Sequence, residues 1–269
     1  MRRVCAENQV VYYCSEIIPC PHGFSTRIGG ISEHSHTKGL NLAFGRGDDD
    51  RTVLGNLRLF SEALGIEPES IISVSQIHSD KVRIVDRDNC GEGYYTAEVE
   101  PCDGYVTVDS GIALGVKTAD CVPILIYAPP DSAFEGGVAA VHAGWRGTAF
   151  GIVKNAIRTL CDMGADPSKI KVAIGPSIGS CCYNVKEDFY DAFYAAAGRE
   201  LTEAFVIPAG DGVWTADLKS ANIRMLCDSG VLRENIDACD LCTCCHSDEF
   251  YSHRFTKGKR GTMLSVITK

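Results

Sequence analysis

The sequence predicts an α/β domain in which sheets are sandwiched between helical layers, and three observations carry that expectation. The middle of the chain, from Ile71 to His142, is a series of short β-rich runs separated by Gly, Pro, Asp and Asn. Segments with helical spacing lie before and after it. No Pro- or Ser-rich linker, low-complexity tract or internal repeat interrupts the chain, so its 269 residues are expected to form one domain, 1–269.

In order, an edge-like strand is expected around Val10 to Tyr13. From Asp48 to Gly65, Val53, Leu57, Phe60 and Leu64 recur at helical spacing, acidic residues lead and a glycine closes, which predicts a helix. Strands are expected at Ile71 to Gln76, Val82 to Val85, Tyr105 to Val108, Ile112 to Val116, Pro123 to Tyr127 and Val138 to His142. Helices follow at Thr148 to Met163, Val185 to Ala197 and Leu218 to Asp228, with strands at Ile170 to Ile174 and Met263 to Ile267.

Composition bounds the function classes. With 45% hydrophobic and 23% charged residues the chain is an ordinary globular sequence able to bury a core. A formal net charge of -9 argues against nucleic acid as a partner, because affinity there comes largely from Lys and Arg neutralising phosphates. The cluster Lys257-Gly258-Lys259-Arg260 is too short to reverse this and is expected to be a solvated loop. Two arginines near the N-terminus are followed by no uninterrupted apolar run, and no later run reaches the length of a membrane span. A cytoplasmic protein with no membrane partner is therefore expected, its 14 cysteines scattered through strand and helix patterns as reduced thiols.

His78, Cys121 and His142 each sit at the end of an apolar run that resembles a strand. Two imidazoles and a thiolate form a good set for Zn²⁺ with the fourth position left open, the pattern of a catalytic site. Roughly forty and then about twenty residues separate the three, so only a fold that gathers strand ends could bring them together. On spacing alone, His78 as a satisfied strand-end histidine and Cys121 as a small buried hydrophobe remain open readings.

The motifs Phe24-Ser25-Thr26-Arg27-x-Gly29-Gly30, Gln76-x-His78-Ser79, Ala119-Asp120-Cys121-x-Pro123 and His142-Ala143-Gly144-Trp145-Arg146-Gly147 occur in that order. Ile174-Gly175-Pro176-x-Ile178, Cys181-Cys182-Tyr183, Cys242-Thr243 and Phe250-Tyr251-Ser252-His253-Arg254 complete the series. It closely resembles the YfiH or laccase-domain family, also called the multicopper polyphenol oxidase family, from about Phe24 to Ile267. The resemblance implies a layered α/β/β/α sandwich with a metal held by His78, Cys121 and His142. It also implies a zinc-dependent purine nucleoside phosphorylase acting on adenosine, inosine and guanosine, with adenosine deaminase and methylthioadenosine phosphorylase activities beside it. Purine nucleosides and phosphate are the partners this implies; oligomeric state is left open.

A zinc centre with two neutral imidazoles and one thiolate carries a net charge of about +1, which acidifies water and attracts anions. Arg27, Arg146 and Arg254 lie in the matched motifs and are the candidate substrate-binding residues, since guanidinium forks suit phosphate. Each is equally open to a structural salt bridge, and Arg46 is a weaker candidate on a Gly-flanked loop. Cys121 and Asp120 are the candidate catalytic residues. Asp120 is either a proton shuttle or ligand-orienting carboxylate, or a turn or cap residue.

Phe24 and Tyr183 could stack on a purine, although core packing is the more frequent fate of such rings. The segment Gly175 to Ser180 lacks both the Walker and the dinucleotide patterns, so a turn shaping a pocket wall is sufficient. Cys239, Cys242 and Cys245 repeat at x₂ spacing beside Cys244, yet the fourth ligand position of a ferredoxin run is Glu249 and no second Cys-x₂-Cys completes a zinc ribbon. Phe255 stands where the family commonly has a second basic residue, and Thr262 follows Gly261 where an arginine is usual.

Three rivals use the same residues differently. A cysteine hydrolase would take Cys121 as nucleophile and His142 as base. A copper-dependent polyphenol oxidase would need several copper sites, whereas the chain has seven His and one His-x-His pair, His34-Ser35-His36; copper could still occupy the three-residue site in vitro. A non-catalytic nucleotide-binding protein is the third.

Overall fold

Seven consecutive residues from Gly137 to Ala143 are buried, so this strand meets protein on both faces and lies at the centre of the molecule. The computed structural model describes residues 1–269. In chain order the strands begin with β1 (Arg2–Cys5), β2 (Val11–Cys14), β3 (His22–Ser25), β4 (Ile71–Ile72), β5 (Val82–Ile84), β6 (Gly104–Thr107), β7 (Ala113–Thr118) and β8 (Val122–Ala128). They continue with β9 (Gly137–Ala143), β10 (Lys171–Ile174), β11 (Asn184–Lys186), β12 (Val206–Gly210), β13 (Val213–Ala216), β14 (Ile236–Ala238) and β15 (Met263–Thr268). The helices are α1 (Asp50–Leu64), α2 (Trp145–Ala149), α3 (Ile152–Asp162), α4 (Glu187–Ala197), α5 (Arg199–Phe205), α6 (Leu218–Asp228) and α7 (His253–Thr256).

Two six-stranded sheets, ordered β1-β2-β3-β15-β7-β4 and β14-β10-β8-β9-β6-β5, form the middle layers, and β11-β13-β12 makes a small third sheet. Strand periodicity distributes the side chains. In β8, Ile124 and Ile126 join the cluster that includes Ile152, Val153 and Leu160 of α3 and Met225 of α6. Leu125 between them faces the other way, into the cluster shared with Phe24, Leu114 and Val116 of the first sheet. The first sheet's outer face, through Leu264 and Val266, buries Val53, Leu57 and Phe60 of α1. Helix, sheet, sheet and helix therefore stack as the α/β/β/α sandwich expected from the sequence.

Some boundaries differ, each for an identifiable reason. The stretch Thr148 to Met163 is two helices, because Gly151 takes a left-handed conformation (φ 79°) that breaks the ladder between α2 and α3. Only Ile71–Ile72 of the expected strand pairs, since the next amides turn aside: Ser73 N–H donates to the Glu92 carbonyl and Val74 N–H to the Tyr105 hydroxyl. Val185 belongs to β11, not to α4, because Asn184 to Lys186 pairs with Val213 to Thr215. Strands β1, β3, β11, β12, β13 and β14 and helices α5 and α7 are missing from the sequence-based expectation, and no helix is long and apolar enough to cross a membrane.

Candidate metal centre

The site forms where the two large sheets meet. In β9, Val141 belongs to the helix-facing cluster, so strand alternation turns its neighbour His142 toward the space between the sheets. His142 is buried. Cys121 closes the turn that carries the chain from β7 in one sheet to β8 in the other. Asp120 holds that turn with φ 94°, outside the range L-residues favour. Its conformation is secured by Ile178 N–H on its carbonyl (2.8 Å), the Thr243 hydroxyl on Oδ1 (2.7 Å) and Arg254 N–H on Oδ2 (2.6 Å).

His78 comes from a loop rather than from a strand end, with φ 58°. Gln76 anchors the loop by bonding β7 as an added strand would: its amide donates to the Lys117 carbonyl (2.8 Å) and accepts Lys117 N–H (2.6 Å). Asp103, which sequence reasoning missed, gathers the rest. Its carboxylate accepts the N–H groups of Ile77, His78 and Ser79 at 3.2, 3.0 and 2.7 Å and the Ser79 hydroxyl at 2.8 Å. The same carboxylate lies 2.8 Å from His142 Nδ1, leaving Nε2 as the free ring nitrogen.

The ligand atoms of His78, Cys121 and His142 all lie within 4.8 Å of one another, and the two rings meet edge to face with centroids 4.8 Å apart. Gly144 makes room for them. A Cβ there would stand 2.7 Å from His78 Nδ1 and 3.4 Å from Cys121 Sγ, and one at Gly147 would stand 2.8 Å from the Ser79 carbonyl oxygen. The glycines of the His-Ala-Gly-Trp-Arg-Gly motif thus serve close approach of the His78 loop.

Electrostatics separate the two imidazoles. Burial, with His142 nearby, lowers the His78 pKa and keeps its ring neutral. Burial also opposes charge on His142, but Cys121 and Asp103 outweigh it and raise the pKa to about 9. Asp103 is buried, which disfavours ionisation, yet His142 and the Ser79 donors hold its pKa below the usual range. A cation bound at His142 Nε2 would displace the proton there, coupling metal affinity to pH.

The three residues open onto a cavity of ≈ 330 Å³ that also bears Arg46, Lys117 and Arg260. Arg260 is not in a solvated loop as expected. Burial lowers its pKa to about 10, and while Nη1 donates to Thr262 Oγ1 (2.7 Å), the buried Nε has no partner. Lys117 lies over the Tyr94 ring with Nζ on the Ser73 carbonyl (2.9 Å), and burial lowers its pKa to about 8.

Of the expected arginines, Arg27 does not line the cavity. Its guanidinium donates to the Ser247 and Lys38 carbonyls at 2.9 and 3.3 Å and covers the Tyr251 ring. Arg254 likewise donates to the Cys182 and Asn184 carbonyls, at 3.0 and 2.9 Å. Arg146 is exposed, with its guanidinium 4.2 Å from the Trp145 ring centroid. Phe24 is core, and Tyr183 packs on Phe189.

The family described as multi-copper polyphenol oxidoreductase laccase matches residues 21–269. This chain belongs to that family. It is 36% identical over 251 residues to purine nucleoside phosphorylase YlmD of Geobacillus stearothermophilus, covering 91% of this chain and 88% of the relative. It is 34% identical over 234 residues to adenosine deaminase RL5 of an unknown prokaryotic organism, covering 86% and 87%. The crystal structure of YlmD from Geobacillus stearothermophilus superposes with a TM-score of 0.86 at 31% identity, over 97% of this chain and 96% of that one. The chain is thus an enzyme of the nucleoside phosphorylase and deaminase type within this family.

The family description mentions several coppers, but outside this site the His-x-His pair stands apart, His36 Nε2 lying 2.7 Å from the Arg46 carbonyl oxygen. The His78, Cys121 and His142 donors suit one borderline-soft ion with an open position. Gly144 keeps a side chain from crowding His78 Nδ1 and Cys121 Sγ.

Proposed function

We propose that this chain is a zinc-dependent purine nucleoside phosphorylase, with zinc held by His78, Cys121 and His142. Adenosine, inosine and guanosine are its substrates, and adenosine deamination and methylthioadenosine phosphorolysis are its side activities. One observation carries the proposal: the three ligands converge on a cavity that also presents Arg46 and Arg260, an anion site beside a metal site. A bound zinc supplies positive charge and Lewis acidity.

The chain's own groups do the rest. Arg260, with an unpartnered Nε, and Arg46 hold phosphate, whereas exposed Arg146, lying over Trp145, is not among the residues that line the cavity. Phe44 offers a ring face within the cavity for the purine. A phosphate oxygen bonds to C1′ of the ribose as the C1′–N9 bond breaks. The bond's electron pair leaves with the purine, which takes up a proton, giving the free base and ribose 1-phosphate. In deamination, water adds at C6 and ammonia leaves. Asp120, with both carboxylate oxygens occupied, serves by holding the turn that presents Cys121. Arg27 and Arg254 brace the surrounding loops. A cytoplasmic location belongs to the same proposal, supported by 14 unpaired thiols.

One observation favours a second reading. Cys121, His142 and Asp103 lie in the order of a nucleophile, base and orienting carboxylate. Incubation of the metal-loaded protein with inosine and with adenosine, with and without phosphate, separates the two. Phosphate-dependent ribose 1-phosphate, abolished by a chelator, supports the phosphorylase; free ribose formed without phosphate and insensitive to chelator supports the thiol hydrolase.

A further inference from the structure

The second cysteine group is not the local run that the sequence suggests. Cys181 and Cys182, on the turn before β11, converge with Cys242 and Cys245, on the turn before α7, until all four sulfurs lie within 4.8 Å of one another. Cys245 Sγ is 3.6 Å from Cys181 Sγ and 3.4 Å from Cys182 Sγ. Sulfurs arranged tetrahedrally at ~2.3 Å from a zinc ion are separated by ~3.8 Å, so these spacings need only a small expansion to admit one. They are far longer than the ~2.05 Å of a disulfide bond.

We infer that Cys181, Cys182, Cys242 and Cys245 form a second, structural Zn²⁺ site. Four thiolates complete the tetrahedron and leave no position for water or substrate, in contrast to the three-ligand centre. Sulfurs this close enclose a single ion and leave no room for a cluster of several irons with its own sulfides. The backbone is arranged for thiolate charge: Gly179 N–H points at Cys242 Sγ at 3.2 Å. Cys239, at the head of the sequence run, is outside the group, and the ligands missing from that run come from Cys181-Cys182, some sixty residues earlier.

The site has a structural purpose. Both turns lack regular secondary structure, and between them the main chain provides little more than the Ser177–Cys242 bridge and Thr243 N–H on the Ser177 carbonyl. Thr243, next to Cys242, donates to Asp120, the neighbour of Cys121. Arg254 reaches the Cys182 carbonyl and, through its own N–H, Asp120. A zinc ion joining the two turns therefore fixes the layer behind the first metal site.

Protein prepared under reducing conditions with added zinc and then freed of excess metal should hold two zinc equivalents per chain. Cys121→Ser and the double variant Cys182→Ser/Cys245→Ser should hold one each. Cobalt in place of zinc in Cys121→Ser should give the intense sulfur-to-metal charge transfer of an all-thiolate tetrahedral ion, a readout that survives if the double variant fails to fold. One equivalent in the wild type with no thiolate-type cobalt spectrum in Cys121→Ser would overturn the inference. So would iron with acid-labile sulfide, or disulfides among these four residues in reduced, zinc-supplemented protein.

Discussion

Asp103 Oδ1 stands 2.8 Å from His142 Nδ1, and the same carboxylate accepts the backbone N–H of His78. One side chain therefore orients two of the three candidate ligands, one through its ring and the other through its main chain. Its support is positional, because Asp103 lies behind the ligands rather than at the cavity. Replacing such a partner typically costs ~10–100-fold in metal affinity. In Asp103→Asn an amide NH₂ would also face the N–H groups of Ile77, His78 and Ser79, so the loop should loosen as well. Zinc titration of Asp103→Asn should show affinity falling by at least the lower end of that range; wild-type affinity would remove Asp103 from the site's support.

Legibility in the sequence followed the length and completeness of local signals. Helix α6 matches its expected bounds, and α1 nearly so, because Asp49 caps the first turn and Gly65 ends the last in a left-handed conformation. Strands β8 and β9 were visible as apolar runs. Strand β3, His22–Ser25, was not, because its short run has little β-rich character of its own and is defined by pairing with β2 and β15. Asp103 was hidden because a carboxylate between Cys102 and Gly104 resembles any turn residue until the five groups that meet it, from Ile77, His78, Ser79 and His142, are seen. Arg260 was misjudged because a Lys-Gly-Lys-Arg run normally faces water, and only the fold draws its last member into the cavity.

Gly144 should tolerate no side chain. Its φ of -68° suits any residue, so the constraint is space alone. A Cβ 2.7 Å from His78 Nδ1 must displace the ring or the main chain of α2's first turn. Gly144→Ala should bind zinc about tenfold or more weakly, comparable to loss of an orienting partner. Its thermal unfolding in the presence of chelator should change less than that of the metal-loaded protein. Unchanged zinc affinity would show that His78 is not a ligand.

Stability in acid should depend on Glu92. Its carboxylate is buried, which opposes ionisation, yet two bonds from Arg83 (2.9 and 3.3 Å) and one from Asn89 (2.7 Å) hold its pKa below the usual value. A carboxylate with a depressed folded pKa contributes stability above its unfolded value, about 4.3, and loses that contribution as pH falls through the folded one. Breaking such a buried pair costs ~3–5 kcal/mol. Glu92→Gln should therefore be less stable than wild type by about that amount at pH 7. The difference should shrink below about pH 4. A denaturant series at both pH values checks this, and a gap that stays constant into acid would assign the loss to packing.

Phosphate use and deamination should respond differently to the cavity arginines. Each hydrogen bond to a charged group is worth ~1.5–3 kcal/mol, so Arg46→Ala or Arg260→Ala should slow phosphorolysis of inosine about ten- to hundredfold at low phosphate. Arg260→Ala should have the larger effect, because its buried Nε has no other partner. Deamination of adenosine does not consume phosphate and should survive these changes better, while His78→Ala and His142→Ala should abolish both reactions. Arg27→Ala serves as the contrast. Its guanidinium ties the Ser247 and Lys38 carbonyls together, so it should lower the melting temperature and leave the dependence on phosphate concentration unchanged. Steady-state rates at several phosphate concentrations for each variant would decide the matter. Equal loss of both activities in the Arg46 and Arg260 variants would mean that these side chains hold the nucleoside or the fold, and a phosphate defect in Arg27→Ala would return that residue to the substrate site.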